Sequence, residues 1–308
     1  PFRGSVLSGL VSAVDLALWD LKAQQHEVPL YELLGGRYRD SVRLCLLLKG
    51  SSHEELVDAA IAARDEGYTA IKVDPLLPGY QNQSLQKLTN ECLQLLRDVQ
   101  SAVGTDVDLV VELHRKLSPL TAAHLIEQIG SLNPLFIEDP IQIDSISSQA
   151  ALARNTRVPL ACGERLHTIW EFKELLEQGG PQYLRPDPGL AGGITGIRKI
   201  AAIGEAYHSA VVTHNFLGPT LTAASVHLSV SMPNFLIQEY TERDEDRARH
   251  SALTTTLVRS GGFISAPDSI GLGVTLDPSR LQQNAYDGYI GESSQIQLRG
   301  DGSIAAAN

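Results

Sequence analysis

Six acidic or imidazole residues recur along this chain at nearly constant intervals: Glu112, Glu138, Glu164, Asp187, His214 and Glu239, separated by 26, 26, 23, 27 and 25 positions. Each stands at or near the end of a short apolar run, as in Val110-Val111-Glu112 and Phe136-Ile137-Glu138. A strand, a loop, a helix and a return loop together use about 25 residues, so the period predicts one functional residue from each of six successive β/α units.

The flanking pattern extends the alternation. Val42 to Leu48, Ala70 to Val73, Leu109 to Leu113, Leu135 to Ile137, Leu160 to Cys162, Tyr183 to Leu184, Ala210 to Val212 and Leu236 to Gln238 make eight strand candidates, with helical segments between them. Short strands that are apolar throughout imply a parallel sheet covered on both faces, and eight of them imply a closed barrel. An open doubly wound sheet would gather its polar residues at one switch point, whereas here they end many strands. Ahead of the barrel, Leu10, Val11, Val14, Leu18 and Leu21 recur at helical spacing after Ser8, a candidate N-cap, and Trp19 with Leu18 and Leu21 reads as core. Beyond Glu239 the pattern weakens into the polar stretch Thr241 to His250 and two Gly-rich segments. This part reads as an extension packed outside the barrel, with Gly300 to Asn308 a loose tail. The domain boundaries expected are 1–40, 41–240 and 241–308.

With 308 residues, 43% hydrophobic and 20% charged, the chain can bury one barrel-sized core. Its net charge of −11 argues against nucleic acid or an anionic membrane as partner. Cys45, Cys92 and Cys162 lie far apart and form no C-x-x-C pair, which suits a reducing, cytoplasmic compartment. No run has the length of a membrane span. The start, Pro1-Phe2-Arg3-Gly4, is no signal peptide, and with Met232 its one methionine the chain reads as part of a longer polypeptide.

Three glutamates meeting at a barrel mouth would repel one another unless a cation sat between them, and hard oxygen ligands of this kind suit Mg²⁺. Asp187 and His214 end adjacent strands. A carboxylate beside an imidazole fixes its tautomer and raises its basicity, as a general base requires. His114 follows Glu112 by two residues and should share its side of a strand. Arg185, two before Asp187, should also face inward, either to neutralise an acidic substrate or as a structural ion-pair partner. Glu239 could hydrogen-bond a substrate oxygen.

The segments Ser12-Ala13-Val14-Asp15-Leu16-Ala17-Leu18-Trp19-Asp20-Leu21-Lys22, Phe136-Ile137-Glu138-Asp139-Pro140, Gly163-Glu164-Arg165 and Ala191-Gly192-Gly193-Ile194-Thr195 resemble the enolase superfamily. Their order and spacing resemble its mandelate racemase subgroup and, within it, the galactonate dehydratase-like acid-sugar dehydratases. The resemblance implies an N-terminal α+β capping domain, mostly absent from this chain, closing over a (β/α)7β TIM-like barrel. It implies Mg²⁺ held by Glu112, Glu138 and Glu164, with His214, paired with Asp187, taking the proton from carbon 2 of a sugar acid. His114 would help the hydroxyl on carbon 3 to leave, and Glu239 would bond the substrate carboxylate or enediolate. The product would be a 2-keto-3-deoxy acid, and the assembly a homo-oligomer.

Four departures qualify the pattern. Glu112 stands where Asp is usual. Lys72-Val73-Asp74 puts Asp in place of the second Lys of the racemases' Lys-x-Lys, which leaves Lys72 and Asp74 as candidate substrate-binding residues, Asp74 alternatively capping the strand end. Arg185 resembles the Arg of mannonate-type relatives, and the segment after His214, Asn215 to Pro219, differs from the common dehydratase sequence. The expectation is an Mg²⁺-dependent acid-sugar dehydratase; the alternatives are a racemase or epimerase, or a catalytically silent barrel that binds or assembles.

Overall fold

The computed structural model describes residues 4–246, 250–281 and 297–306. A long helix, α1 (Ser5–Gln25), and a single turn, α2 (Leu30–Leu33), lead into β1 (Ser41–Leu47). Strands and helices then alternate: α3 (His53–Asp65), β2 (Ala70–Val73), α4 (Leu85–Val103), β3 (Asp108–Glu112), α5 (Pro119–Ile129), β4 (Phe136–Glu138) and α6 (Ile146–Arg154). They continue with β5 (Leu160–Cys162), α7 (Ile169–Glu177), β6 (Tyr183–Leu184), α8 (Gly193–Ala206), β7 (Ala210–Val211), α9 (Pro219–Ser231) and β8 (Gln238–Tyr240).

Strands β1 to β7 pair in sequence order, all parallel. β8 returns to β1, with Cys45 opposite Glu239, and Val211 bridges Phe235 on the β7 side. The sheet is therefore closed and the order is (β/α)7β, as the sequence predicts. The last strand runs two residues later than expected, because Phe235 makes only an isolated bridge and continuous pairing begins at Gln238.

Local chemistry sets the element starts. Ser52, Ser84 and Ser118 accept hydrogen bonds from the backbone N–H groups of Glu55, Lys87 and Thr121, capping α3, α4 and α5. Thr168 and Glu171 form a reciprocal capping box on α7. On α4, Leu88, Cys92, Leu95, Leu96, Val99 and Val103 recur at helical spacing and are buried, so one face seals against the strands. The barrel interior is a small layer of Cys45, Ala70, Val110, Phe136, Ala161, Val212 and Ile237, while larger apolar groups fill the space between strands and helices.

Helix α1 differs from expectation. Leu10, Val11, Val14, Leu18 and Leu21 are each at least half exposed, so Leu18 and Leu21 are not core in this chain. The helix docks through its other face: Ser12 Oγ and Asp15 Oδ2 accept the Gly192 and Thr195 N–H groups at 3.0 Å, and Trp19 Nε1 donates to Thr195 Oγ1 at 2.8 Å. The apolar period identified a stripe correctly but not what it faces. Gly193 has φ 65°, and an added Cβ would lie 2.3 Å from Asp15 Oδ2, so this close approach requires glycine.

After β8 come β9 (Leu253–Thr255), β10 (Arg259–Ser260), β11 (Phe263–Ser265) and β12 (Thr275–Leu276); β11 adds antiparallel to β1. The expected loose tail is a correction: β13 (Gln297–Leu298) and β14 (Ile304–Ala306) pair as a hairpin, and Gly300 N–H donates to Asn82 Oδ1 at 2.8 Å. Residues 1–3, 247–249, 282–296 and 307–308 lie outside the described residues.

His227 on α9 is fully buried, stacks on Tyr31 and accepts its N–H through Nδ1 at 3.2 Å. Burial pushes its pKa down from 6.5 to about 4. Above pH 6.5 the imidazole is neutral folded or unfolded; between 6.5 and 4 only the unfolded chain takes up the proton, so stability falls with pH in that window. The full effect is roughly 3 kcal/mol. Urea unfolding midpoints should fall between pH 7 and pH 5 less steeply in His227→Leu than in wild type; equal slopes would remove this group as the source.

Candidate active site

The interior layer sets the direction of the site side chains. Two residues beyond Ala70, Val110, Phe136, Tyr183, Val212 and Ile237 come Lys72, Glu112, Glu138, Arg185, His214 and Glu239. Strand alternation aims each toward the barrel axis, one layer nearer the C-terminal mouth. Register places Glu112 directly beside Glu138. Glu164 arrives differently, through Gly163 at φ 131°, where a Cβ would lie 2.6 Å from Phe172 Cε1. Both the backbone angle and the lack of space exclude a side chain there.

His114 also departs from simple alternation. β3 ends at Glu112, and His114 and Arg115 take left-handed φ of 47° and 60°, with Asp139 at 39° after β4. Such angles persist where surrounding bonds over-determine them. Here His114 N–H donates to Glu112 Oε1 at 2.7 Å, and Arg115 N–H donates to the Asp139 carbonyl at 2.6 Å. The His114 ring then pairs its Nδ1 with Asp74 Oδ2 at 2.7 Å, and Lys116 Nζ donates to the same oxygen at 2.7 Å. Asp74 Oδ1 accepts Leu76 N–H, so this carboxylate both caps the loop and holds His114.

Below these groups lies a buried ionic layer. Lys72 Nζ donates to Glu112 Oε2 at 3.2 Å, to Glu138 Oε1 at 2.7 Å and to Glu239 Oε1. Arg185 donates through one terminal nitrogen to Glu239 Oε2 at 2.7 Å, and its Nε lies 2.7 Å from Glu138 Oε1 as an ion contact without hydrogen-bond alignment. Arg115 bonds Glu164 Oε1 and, at 3.2 Å, Asp139. His214 Nδ1 meets Asp187 Oδ2 at 2.6 Å, leaving Nε2 3.5 Å from Glu164 Oε2. The Lys72 and Arg185 side chains are 3% and 1% exposed, so they form the floor of the mouth; His114 at 36% and His214 at 18% are its accessible groups.

The surroundings shift the titrations in opposite directions. Burial pushes the Glu138 carboxyl well above its usual range despite Arg185 and Lys72, and burial with the neighbouring Glu164 raises Asp139 to about 7. Burial works against charge on Glu164 too, but His214, Arg115 and Arg185 outweigh it and hold that carboxyl well below its usual range. His214 is raised to about 9, because Glu164 and Asp187 outweigh its burial. The carboxylates around His214 thus favour its charged form, and it acts as a base only once that proton has been given up.

The donor set does not fit Mg²⁺ as arranged. That ion needs oxygens at about 2.1 Å in a near-octahedron. Both oxygens of Glu112 are engaged, Glu164 Oε1 is held by Arg115, and Glu138 Oε1 faces two cations; Glu138 Oε2 is the cluster oxygen that is buried with no partner. Among the described residues no group of three His, Cys, Asp or Glu side chains stands in metal-holding geometry.

All ten residues singled out from the sequence come to the mouth, although Lys72 and Arg185 lie beneath it among carboxylates. Sequence reasoning missed Arg115, Lys116 and Asp139. Asp139 lay within a quoted motif, and Arg115 and Lys116 adjoin His114, but the left-handed turns hid their direction.

A closed parallel barrel with charged and imidazole side chains at its C-terminal mouth defines an enzyme-type (β/α) barrel. The model for the enolase C-terminal domain-like family matches residues 55–280, and that for the mandelate racemase / muconate lactonizing enzyme N-terminal domain matches residues 9–35. The chain belongs to the mandelate racemase / muconate lactonizing enzyme family of the enolase superfamily. It is 31% identical to a D-galactonate dehydratase of Ralstonia pickettii and 33% identical to one of Ralstonia nicotianae, over 98% of this chain and 80% of each relative. A solved enolase superfamily member from Salmonella Typhimurium superposes with a TM-score of 0.85 at 28% identity, over 90% of this chain and 77% of that one. A mandelate racemase/muconate lactonizing enzyme from Jannaschia sp. CCS1 gives 0.83 at 31%, over 92% and 77%.

Removing one member of a buried ion network strands its partners, at a cost of about 3–5 kcal/mol. Arg185→Met should lower unfolding stability by that amount in urea titration, whereas Lys173→Met, which breaks the surface pair with Glu177, should leave the midpoint unchanged.

Proposed function

We propose that this chain is a hydro-lyase acting on a sugar acid. One observation carries the reading: two carboxylate-held imidazoles, His214 with Asp187 and His114 with Asp74, rise from β7 and β3, opposite sides of an eight-stranded barrel. The D-galactonate dehydratases that match nearly the whole chain support it. A cavity of about 330 Å³ lies beside the mouth, lined by Arg115, Lys116, Ser118, Gln142, Asp144 and Arg299 among others.

In this reading His214 Nε2, in its neutral form, takes the proton from carbon 2, next to the substrate carboxylate. The C–H electron pair forms the carbon 2–carbon 3 double bond as the carbon 3 hydroxyl leaves, taking a proton from His114 to depart as water. The enol then becomes a 2-keto-3-deoxy acid. Asp187 and Asp74 orient the two rings, and Lys116 holds Asp74. Residues 41–240 would be the catalytic barrel, with 1–40 and 241–308 flanking it. Mg²⁺ is typical of the family, and assay with and without chelator tests the dependence of turnover on it.

A second reading, a barrel that binds without reacting, is favoured by the ion-paired floor. These readings, and a racemase, separate on a panel of aldonic and aldaric acids: a hydro-lyase yields 2-keto acid, a racemase exchanges the carbon 2 proton for deuterium without losing water, and a binding barrel does neither. His214→Ala should lose both exchange and dehydration by about 10²–10⁴-fold, and His114→Ala should lose dehydration more than exchange. Intact exchange in His214→Ala would reverse the assignment.

A further inference from the structure

We propose that the carboxylate cluster at the barrel mouth is closed by cations of the chain itself, with the Lys72 ammonium, flanked by Arg185 and Arg115, standing where a divalent ion would otherwise be held. Lys72 has three N–H donors and meets three separate carboxylates, Glu112, Glu138 and Glu239, so its bonding capacity is used in full. Arg185 ties Glu138 to Glu239, and Arg115 ties Glu164 to Asp139. Glu112, Glu138, Glu164 and Glu239 are thereby each in contact with at least one fixed cation.

The glutamate at position 112 is part of this arrangement. Its carboxylate spans from the His114 N–H at 2.7 Å to Lys72 at 3.2 Å. An aspartate would be shorter by about 1.5 Å. Arg115 reaches Glu164 because the chain turns through the left-handed angles at His114 and Arg115 immediately after β3. Side-chain length at 112, the Lys at 72 and the turn at 114–115 thus all serve one result, a cluster in which each glutamate meets a covalently attached cation. Such cations are present at fixed stoichiometry and cannot be chelated away.

The inference goes beyond the hydro-lyase reading and is tested by binding, so its outcome is independent of whether any sugar acid reacts. The free Mn²⁺ electron paramagnetic resonance signal would be titrated with the purified chain, and thermal melts recorded with millimolar Mn²⁺ or EDTA. Wild type should show no saturable site that is lost on Glu138→Gln, and its melting temperature should not respond to either addition. Lys72→Met, which removes the central cation and keeps the apolar stem, should gain a saturable Mn²⁺ site at least about tenfold tighter than any in wild type. Its melting temperature should rise with Mn²⁺, and adding Glu138→Gln should abolish the gain. Saturable binding in wild type that disappears with Glu138→Gln overturns the proposal, and so does a folded Lys72→Met chain that gains no site. If Lys72→Met does not fold, the wild-type and Glu138→Gln titrations decide alone. Wild-type binding that survives Glu138→Gln lies elsewhere and leaves the cluster closed.

Discussion

Burying four carboxylates, Glu112, Glu138, Glu164 and Glu239, within one barrel mouth is the constraint to which the rest of this structure answers. Isolated charges in such a place would neutralise or unfold the chain. Lys72, Arg185 and Arg115 meet them from three different strand ends, so the ionic layer also fixes how the ends of β2, β3 and β6 stand relative to one another. Its net contribution to stability need not be large, since desolvation offsets much of the attraction. What it secures is one arrangement of the mouth, on which the two accessible imidazoles are mounted.

Those imidazoles show how environment divides like groups. His214 lies among Glu164, Asp187 and Glu239 and is driven toward its charged form. His227, of the same residue type but fully buried and stacked on Tyr31, is driven toward its neutral form. The first has a role only where solvent and substrate can reach it; the second is a packing group whose ring nitrogen satisfies a backbone donor. Family membership supplies the fold on which both sit.

Much of the fold was legible because barrel strands are buried on both sides, so short apolar runs stand out, and because polar residues at their ends keep the period of the β/α unit. Lys72, Glu112, Glu138, Arg185, His214 and Glu239 followed from the two-residue alternation along strands, whereas Glu164 and His114 reach the mouth through backbone at positive φ. What escaped were the features that depend on non-periodic backbone or on partners distant in sequence. Arg115 and Asp139 lie in left-handed turns, where alternation carries no directional information. The exposed stripe on α1 has helical spacing, yet spacing cannot say whether a face meets the barrel. The partners of the Gly192 and Thr195 N–H groups are equally remote in sequence: Ser12 and Asp15, some 180 positions away, accept them.

The closure of β8 on β1 joins residues that the ribosome makes far apart. Cys45 and Glu239 face each other across the seam, and Glu239 is also a carboxylate partner of Lys72. Until that late segment has been synthesised, β1 presents a bare edge and Lys72 lacks one of its three partners. Pairings of such long sequence separation form slowly and leave the open sheet exposed to wrong partners in the meantime. In this chain the step that seals the hydrogen-bonded seam and the step that completes the contacts of Lys72 are the same event.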